Sequence, residues 1–371
     1  MLAYGAGACR YSCAMAVEDS GSRRGTFIGV DVGGTKIAIA AMRDGVLGDP
    51  VVIPTETENQ QALIAQLEQG IRGAMAIAGE RVSAVGLGIP SIIEFTTGRV
   101  RTSTNIPLRD VPLREVLEQR LPGIAVFVDN DATCAAIGEA HDESGRLDTP
   151  NLVMLTVGTG VGGGIVIDGL PYRGATGAAA ELGHTIVGLD LSEGAVAVGA
   201  HDNAVGALGE FPRRGSLEAL AAGRTLDALA LSSARAHPNS KLGQLAASGH
   251  QLNGHDVLLA ASEGDPYAQV ARTLLGERLG VGIANVINTF DPEVVAIGGG
   301  VSAAGDTLLE TASESAWRFV LPGVGTSTTI RLARRGAEAG VRGAALLASV
   351  EVARKAPGGA ARERAADAST I

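Results

Sequence analysis

The chain has 371 residues, a formal net charge of −10 and only 3% aromatic residues. At ~100–200 residues per domain, this length fits two domains with a cleft between them. The acidic balance argues against nucleic acid as a principal partner, because phosphate backbones select basic faces, and no apolar run of about 18 residues or more marks a membrane span.

Residues 1–26 lack periodicity and end in Ser22-Arg23-Arg24-Gly25, which reads as a disordered leader or an upstream start. A signal peptide needs a basic region before its apolar stretch, and Met1–Ala8 has no Lys or Arg. The three cysteines, Cys9, Cys13 and Cys134, lack metal-site spacing and allow at most one bridge, so the cytoplasm is expected.

Phe27–Val32 and Lys36–Met42 read as strands around Gly33-Gly34-Thr35, and Asp44-Gly45 signals a hairpin before a third strand at Val51–Ile53. Gln60–Ala78 has helical periodicity, with Leu63, Ile64, Leu67, Ile71 and Met75 on one face. Val82–Ile89 is a buried strand, Val111–Leu121 a helix, Ile124–Val128 a strand, and Asp131 opens an Ala-rich helix over Ala132–Ala140. The plan then restarts. Leu152–Val157 and Gly162–Ile167 are strands around a Gly-rich turn, followed by Asp168-Gly169, an echo that suggests internal duplication. Helices are predicted over Ser216–Ala222, Thr225–Ala236, His255–Ala261 and Pro266–Thr289. A strand at Val294–Ile297 enters Gly298-Gly299-Gly300, and a helix over Ala337–Val352 closes the globular part. The tail over 355–371 reads as disordered.

Five elements can carry chemistry. Asp31-Val32-Gly33-Gly34-Thr35-Lys36 lies on a turn between strands, where glycines let backbone N–H groups approach phosphate oxygens. Thr35 adds a hydroxyl donor, and Asp31 could hold Mg²⁺ through water. The turn leads into a strand, so it is neither a Walker loop nor a dinucleotide fingerprint. Thr156-Val157-Gly158-Thr159-Gly160 and the following Gly162-Gly163-Gly164 repeat the design. At Val128-Asp129-Asn130-Asp131, a carboxylate at a strand end can accept a proton from a substrate hydroxyl. The same residues are equally common as helix N-caps. Glu181 and His184 stand three residues apart, and Gly299-Gly300 after a strand lets a nucleotide lie against backbone.

Together these elements resemble the ROK family of sugar kinases and repressors, within the actin-like ATPase superfamily. Asp31–Lys36 and Leu155–Gly164 look like its two phosphate motifs, and Asn130-Asp131 like its catalytic segment. Gly177–His184 resembles its Gly-x-x-Gly-x-Ala-Gly-Glu-x-Gly-His signature, with Ala180 where Gly is usual. Thr104-Asn105-Ile106-Pro107 resembles its Asn-Leu-Pro segment. The resemblance implies an α/β, ribonuclease H-like fold of two domains, expected at 27–130 and 131–336, with the final helix packing back on the first. It implies ATP with Mg²⁺ as phosphoryl donor, since local loops rather than net charge would hold it. Asp131 would be the general base, with Asn105, Asn130, Glu181, His184 and Glu218 holding a hexose, most simply glucose. The nucleotide would meet Gly33, Gly34, Thr35, Lys36, Thr156, Gly158, Thr159, Gly160, Gly299 and Gly300. A homodimer or homotetramer is implied, with neither nucleic acid nor membrane as partner.

One departure stands out. Family kinases commonly hold a zinc through the signature His and three cysteines, but here the corresponding segment is Glu210-Phe211-Pro212-Arg213-Arg214-Gly215-Ser216-Leu217-Glu218. No thiolate is available, so no zinc is expected, and the loop over 185–213, anchored by Phe211-Pro212, would replace it by packing. Competing readings are a kinase for another hexose or an N-acetylhexosamine, a polyphosphate donor, and a non-catalytic sugar-sensing regulator. The regulator would need a helix-turn-helix, for which 26 leading residues give no room.

Overall fold

The computed structural model describes residues 25–103, 105–188 and 211–355. The expected leader up to residue 24, the tail beyond 355 and the loop over 189–210 lie outside the described residues.

In chain order the elements are β1 (Thr26–Val32), β2 (Lys36–Arg43), β3 (Val46–Leu47), β4 (Val51–Pro54), α1 (Gln60–Ala78), β5 (Val82–Ile89), β6 (Ser91–Glu94), β7 (Arg99–Ser103), β8 (Arg109–Val111), α2 (Leu113–Arg120), β9 (Ala125–Asn130) and α3 (Asp131–Ala140). There follow β10 (Leu152–Val157), β11 (Val161–Ile167), β12 (Leu170–Pro171), α4 (Leu217–Ala221), α5 (Gly223–Ala236), α6 (Lys241–Ala247), α7 (Gly254–Ser262), α8 (Pro266–Phe290), β13 (Val294–Gly298), α9 (Asp306–Trp317), β14 (Thr329–Leu332) and α10 (Ala339–Lys355). Two expectations shift. Val111 closes a strand and the helix begins after Pro112, whose ring suits a helix start. The last helix runs from Ala339 to Lys355.

One sheet has the order β3-β2-β1-β5-β9, with β4 also on β2, and a second has β12-β11-β10-β13-β14. In each, the leading strand pairs antiparallel with the next strand and parallel with a later one. The echo in sequence is therefore an echo in topology. A third sheet, β6-β7-β8, was invisible in sequence, its strands being short and carrying Arg99, Arg101 and Arg109.

The layers follow from strand alternation. In β1, Ile28, Val30 and Val32 face α1 in one core cluster, whereas Phe27 joins the cluster formed with α3 and α10. Gly29 and Asp31 share the face of Phe27, and a Cβ at Gly29 would collide with the Val341 carbonyl of α10. β5 repeats the arrangement: Val85 and Leu87 pack outward, while a Cβ on Gly86 would strike the Ala344 carbonyl. Leu152, Met154 and Val166 of the second sheet pack on Ala135, Ala136 and Ala140 of α3, and Val153, Leu155 and Val157 face the outer helices. The α3–α10 pair is thus a shared inner layer between two sheets. Its helices touch through backbone, since a Cβ at Gly343 would overlap the Cys134 carbonyl oxygen.

Gly343→Ala forces α3 and α10 apart. It should destabilise the protein by about 2–3 kcal/mol in urea unfolding, the range of overpacked cores, and lower activity because α3 carries Asp131. A fully stable variant would show that the two helices can separate without cost.

Candidate active site

The inner layer delivers the chemical groups. Asp31 ends the inner face of β1, and Asp129 occupies that face of β9 with 1% exposure. Asp131 is the first residue of α3. The two sequence readings of this segment divide between neighbours. Asn130 is the N-cap, its Oδ1 accepting from Ala132 N at 2.9 Å and Thr133 N at 3.1 Å, while Nδ2 donates to Ser91 O at 3.3 Å. Asp131 Oδ1 accepts from Ala132 N at 2.9 Å, and its carboxylate is also bonded by its own N–H and by the Asn130 side chain.

Desolvation raises Asp131 above the usual carboxylate range, the Ala132 N–H opposes this, and the charge of Glu181 adds to the rise. Asp31 is pushed up to about 7 by burial and by Asp131, with Lys36 pulling it down. Two neighbouring carboxylates with raised pKa form a site that a divalent cation would relieve. Among the described residues no three His, Cys, Asp or Glu side chains cluster for a metal. The surroundings of His184 do not fit zinc. Its ring meets Phe211 edge-on at 5.5 Å, Glu181 Oε2 lies 3.8 Å away, and Arg213 stacks on Phe211 at 4.9 Å. An aromatic ring and a guanidinium supply no metal bond, so the described neighbours of His184 do not complete a zinc site.

The first turn is closed by Gly33 N donating to Lys36 O at 2.9 Å. Gly34 packs against Asn105, whose Cβ would lie 3.2 Å from an added methyl, so turn and Asn105 line one wall. The second turn is Gly158–Gly160, with Gly158 N donating to Gly160 O at 2.9 Å. Gly299, at φ +85°, lies on the Val157 backbone, and the Cβ directions of Gly158 and Gly300 point into open space. The glycines after that turn have another use. Gly162 and Gly164 let β11 touch Ala132 of α3, and Gly163 packs against Ala180 and Leu182. The sequence reading of a phosphate run extending through Gly164 therefore shortens to the turn itself.

Glu181 and His184 flank a 3₁₀ turn at Leu182–His184, and both are exposed. Burial raises the pKa of Glu181, His184 opposes this, and Glu218 adds to it, so these three groups and Asp131 share one field. Glu218 is held at the second turn: Oε2 accepts from Val161 N at 2.8 Å and Oε1 from Arg224 at 3.1 Å.

Sequence reasoning missed Arg173. It donates to Asp129 at 2.7 Å and Glu351 at 3.2 Å, and lies over Phe95 at 3.5 Å. It thereby ties the Gly177–His184 loop to the strand leading into Asp131. Nothing in the spacing links Arg173 to Asp129. Glu139 at the far end of α3 was also missed, held by Arg331 and by the Arg334 and Arg335 N–H groups.

The ROK family profile matches residues 27–351. A glucokinase of Halalkalibacterium halodurans is 35% identical, over 85% of this chain and 93% of its own. An N-acetyl-D-glucosamine kinase of Aliivibrio fischeri is 33% identical, over 86% and 98%. The crystal structure of a ROK glucokinase from Streptomyces griseus, in complex with glucose and AMPPNP, superposes with a TM-score of 0.69 at 32% identity, over 87% of this chain and 99% of that one.

Two predictions follow from this geometry. Ala180 has φ +70°, a left-handed conformation that costs a residue with a Cβ ~1–2 kcal/mol. Ala180→Gly should stabilise the protein by up to about 1 kcal/mol, after the extra freedom of unfolded glycine is offset, and thermal unfolding reads it. Asp31, raised from 3.8 to about 7, favours the folded state fully below pH 4, and this contribution is lost as pH rises through 7. Asp31→Asn should therefore unfold a few degrees above the parent at pH 8 and show no such gain at pH 4. A pH-independent difference would remove the assigned titration.

Proposed function

The chain belongs to the ROK family, and on that premise we propose that it transfers the γ-phosphoryl group of ATP to a hexose hydroxyl, converting glucose to glucose 6-phosphate with Asp131 as general base. The observation that carries this reading is the division of labour at the start of α3, where the Asn130 side chain caps the helix and the Asp131 carboxylate stands at its first residue. Its raised pKa brings the carboxylate closer to the working pH, where a general base is most effective.

In the reaction, Asp131 Oδ2 takes the hydroxyl proton as the hexose oxygen bonds to the γ-phosphorus and the bond to ADP breaks. Backbone N–H groups of Gly34–Thr35 and Thr159–Gly160 grip the phosphates from two sides, with Gly33, Lys36, Thr156 and Gly158 beside them. Gly299 and Gly300 offer a flat backbone surface to the nucleoside. Asp31 would hold Mg²⁺ brought in with ATP, and the metal would supply charge neutralisation for the phosphate oxygens. Asn105, Asn130, Glu181, His184 and Glu218 orient the hexose, so catalysis is mostly positioning. We take 27–130 with α10 as one lobe and 131–336 as the other, and closure between them would exclude water as a competing acceptor. Among the described residues no helix is long and apolar enough to cross a membrane. A second reading, phosphorylation of an N-acetylhexosamine, is supported by the Aliivibrio relative.

A coupled assay with ATP and Mg²⁺ across a hexose panel separates the two readings. Asp131→Asn should lower kcat by at least ~10²-fold, the usual general-base contribution, while glucose binding by calorimetry stays within a few-fold. Parent-level turnover in that variant would take the base role from Asp131.

A further inference from the structure

Three clamps converge on the second phosphate turn from one short segment at the α4–α5 junction. Glu218 Oε2 accepts from Val161 N at 2.8 Å, Gly223 N donates to Gly158 O at 2.7 Å, and Arg224 Nε donates to Thr159 O at 3.1 Å. Arg224 also reaches Glu218 Oε1 at 3.1 Å, so one guanidinium spans the turn and the carboxylate. Gly160 has no room for a Cβ because the Glu218 carboxylate fills that space. Resting on the reading of Glu218 as a hexose ligand, a negative charge thus lies against the loop that must receive a triphosphate.

We propose that Arg224 is a positioning residue that couples hexose binding to nucleotide binding, through its joint hold on Glu218 and Thr159. The Glu218 carboxylate occupies the Val161 N–H and so competes with an incoming phosphate for that donor. A bound hexose donates its hydroxyls to Glu218, draws the carboxylate from the turn and releases the Val161 N–H. Arg224 moves with Glu218 and resets Thr159 for the phosphates. The coupling is therefore positive, and by linkage each ligand tightens the other by the same factor. The consequence for catalysis is order: the phosphate turn is poised only when an acceptor is present, which keeps ATP from being spent on water.

The Arg224 side chain is 57% exposed. Such surface pairs contribute little to stability, so Arg224→Met tests coupling in a folded protein. The experiment is calorimetric titration of AMPPNP with Mg²⁺, with and without saturating glucose, or whichever hexose the panel identifies. In the parent, hexose should lower the AMPPNP Kd at least about fivefold, at the low end of allosteric couplings. In Arg224→Met that ratio should fall below about twofold, with hexose affinity alone unchanged within about threefold. Arg224→Lys keeps the charge but cannot hold both partners, so its ratio should fall as well. An undiminished ratio in both variants, or no coupling in a parent that phosphorylates the hexose, overturns the proposal and leaves the kinase reading intact. A parent that binds no hexose overturns that reading and this proposal with it.

Discussion

The contact of α10 with the first sheet and with α3, backbone against backbone, is the constraint on which the site depends. Gly29, Gly86, Gly138 and Gly343 remove the side chains that would keep these elements at ordinary packing distance. Helix pairs normally stand ~8–10 Å apart according to their side chains, and removing the Cβ brings the axes closer. Close approach serves placement. Asp31 ends its strand directly above Gly340 of α10, and Asp131 opens a helix pressed on Gly162 and Gly164 of the other sheet. Asp31 lies on β1 and Asp131 directly follows β9 of the same sheet, so the two carboxylates share one electrostatic field.

Ion pairs hold this layer in register. Arg173 joins Asp129, Glu351 and the face of Phe95, so the signature loop, the catalytic strand and the last helix are tied at one point. At the other end of α3, Glu139 has 0% exposure and is held by Arg331 and by the Arg334 and Arg335 N–H groups. Buried pairs of this kind are weak sources of net stability, because desolvation opposes the attraction. Their value here is directional, as each fixes the end of an element that presents a reactive group.

Much of this was legible in the chain. The short apolar runs Phe27–Val32 and Leu152–Val157 announced strands, and the repeated strand–turn–strand plan announced two related sheets. Asp31, Asn105, Asn130-Asp131, Glu181, His184 and Glu218 could be picked out because their short motifs keep residue type and order. The cap-or-base ambiguity at Asp131 could not be resolved there, since both roles demand the same side chain and only the bonds of Asn130 assign the cap. The run Gly162-Gly163-Gly164 misled, because glycine for a phosphate and glycine for a close helix look alike in sequence. Ala180 was visible as a departure, but its left-handed backbone was not. Arg173 and Arg224 escaped notice because ordinary surface-type cations acquire meaning only through partners far away in the chain.

The place of α10 in the chain order also matters for synthesis. On the inner face of β1 and β5, Gly29, Asp31 and Gly86 lie against residues 339–355, while Gly88 lies against α3. A growing polypeptide therefore completes the first sheet's outer face early and leaves the part of the inner face under α10 wet until nearly every other described element has emerged. Contacts of such long separation carry a large loop-closure cost and come late in folding. Asp31 thus waits, solvated and ionised, for the last helix. A ribosome-bound chain lacking α10 thus carries the Gly33-Gly34 turn and Asp31 without the helix that packs beneath that carboxylate.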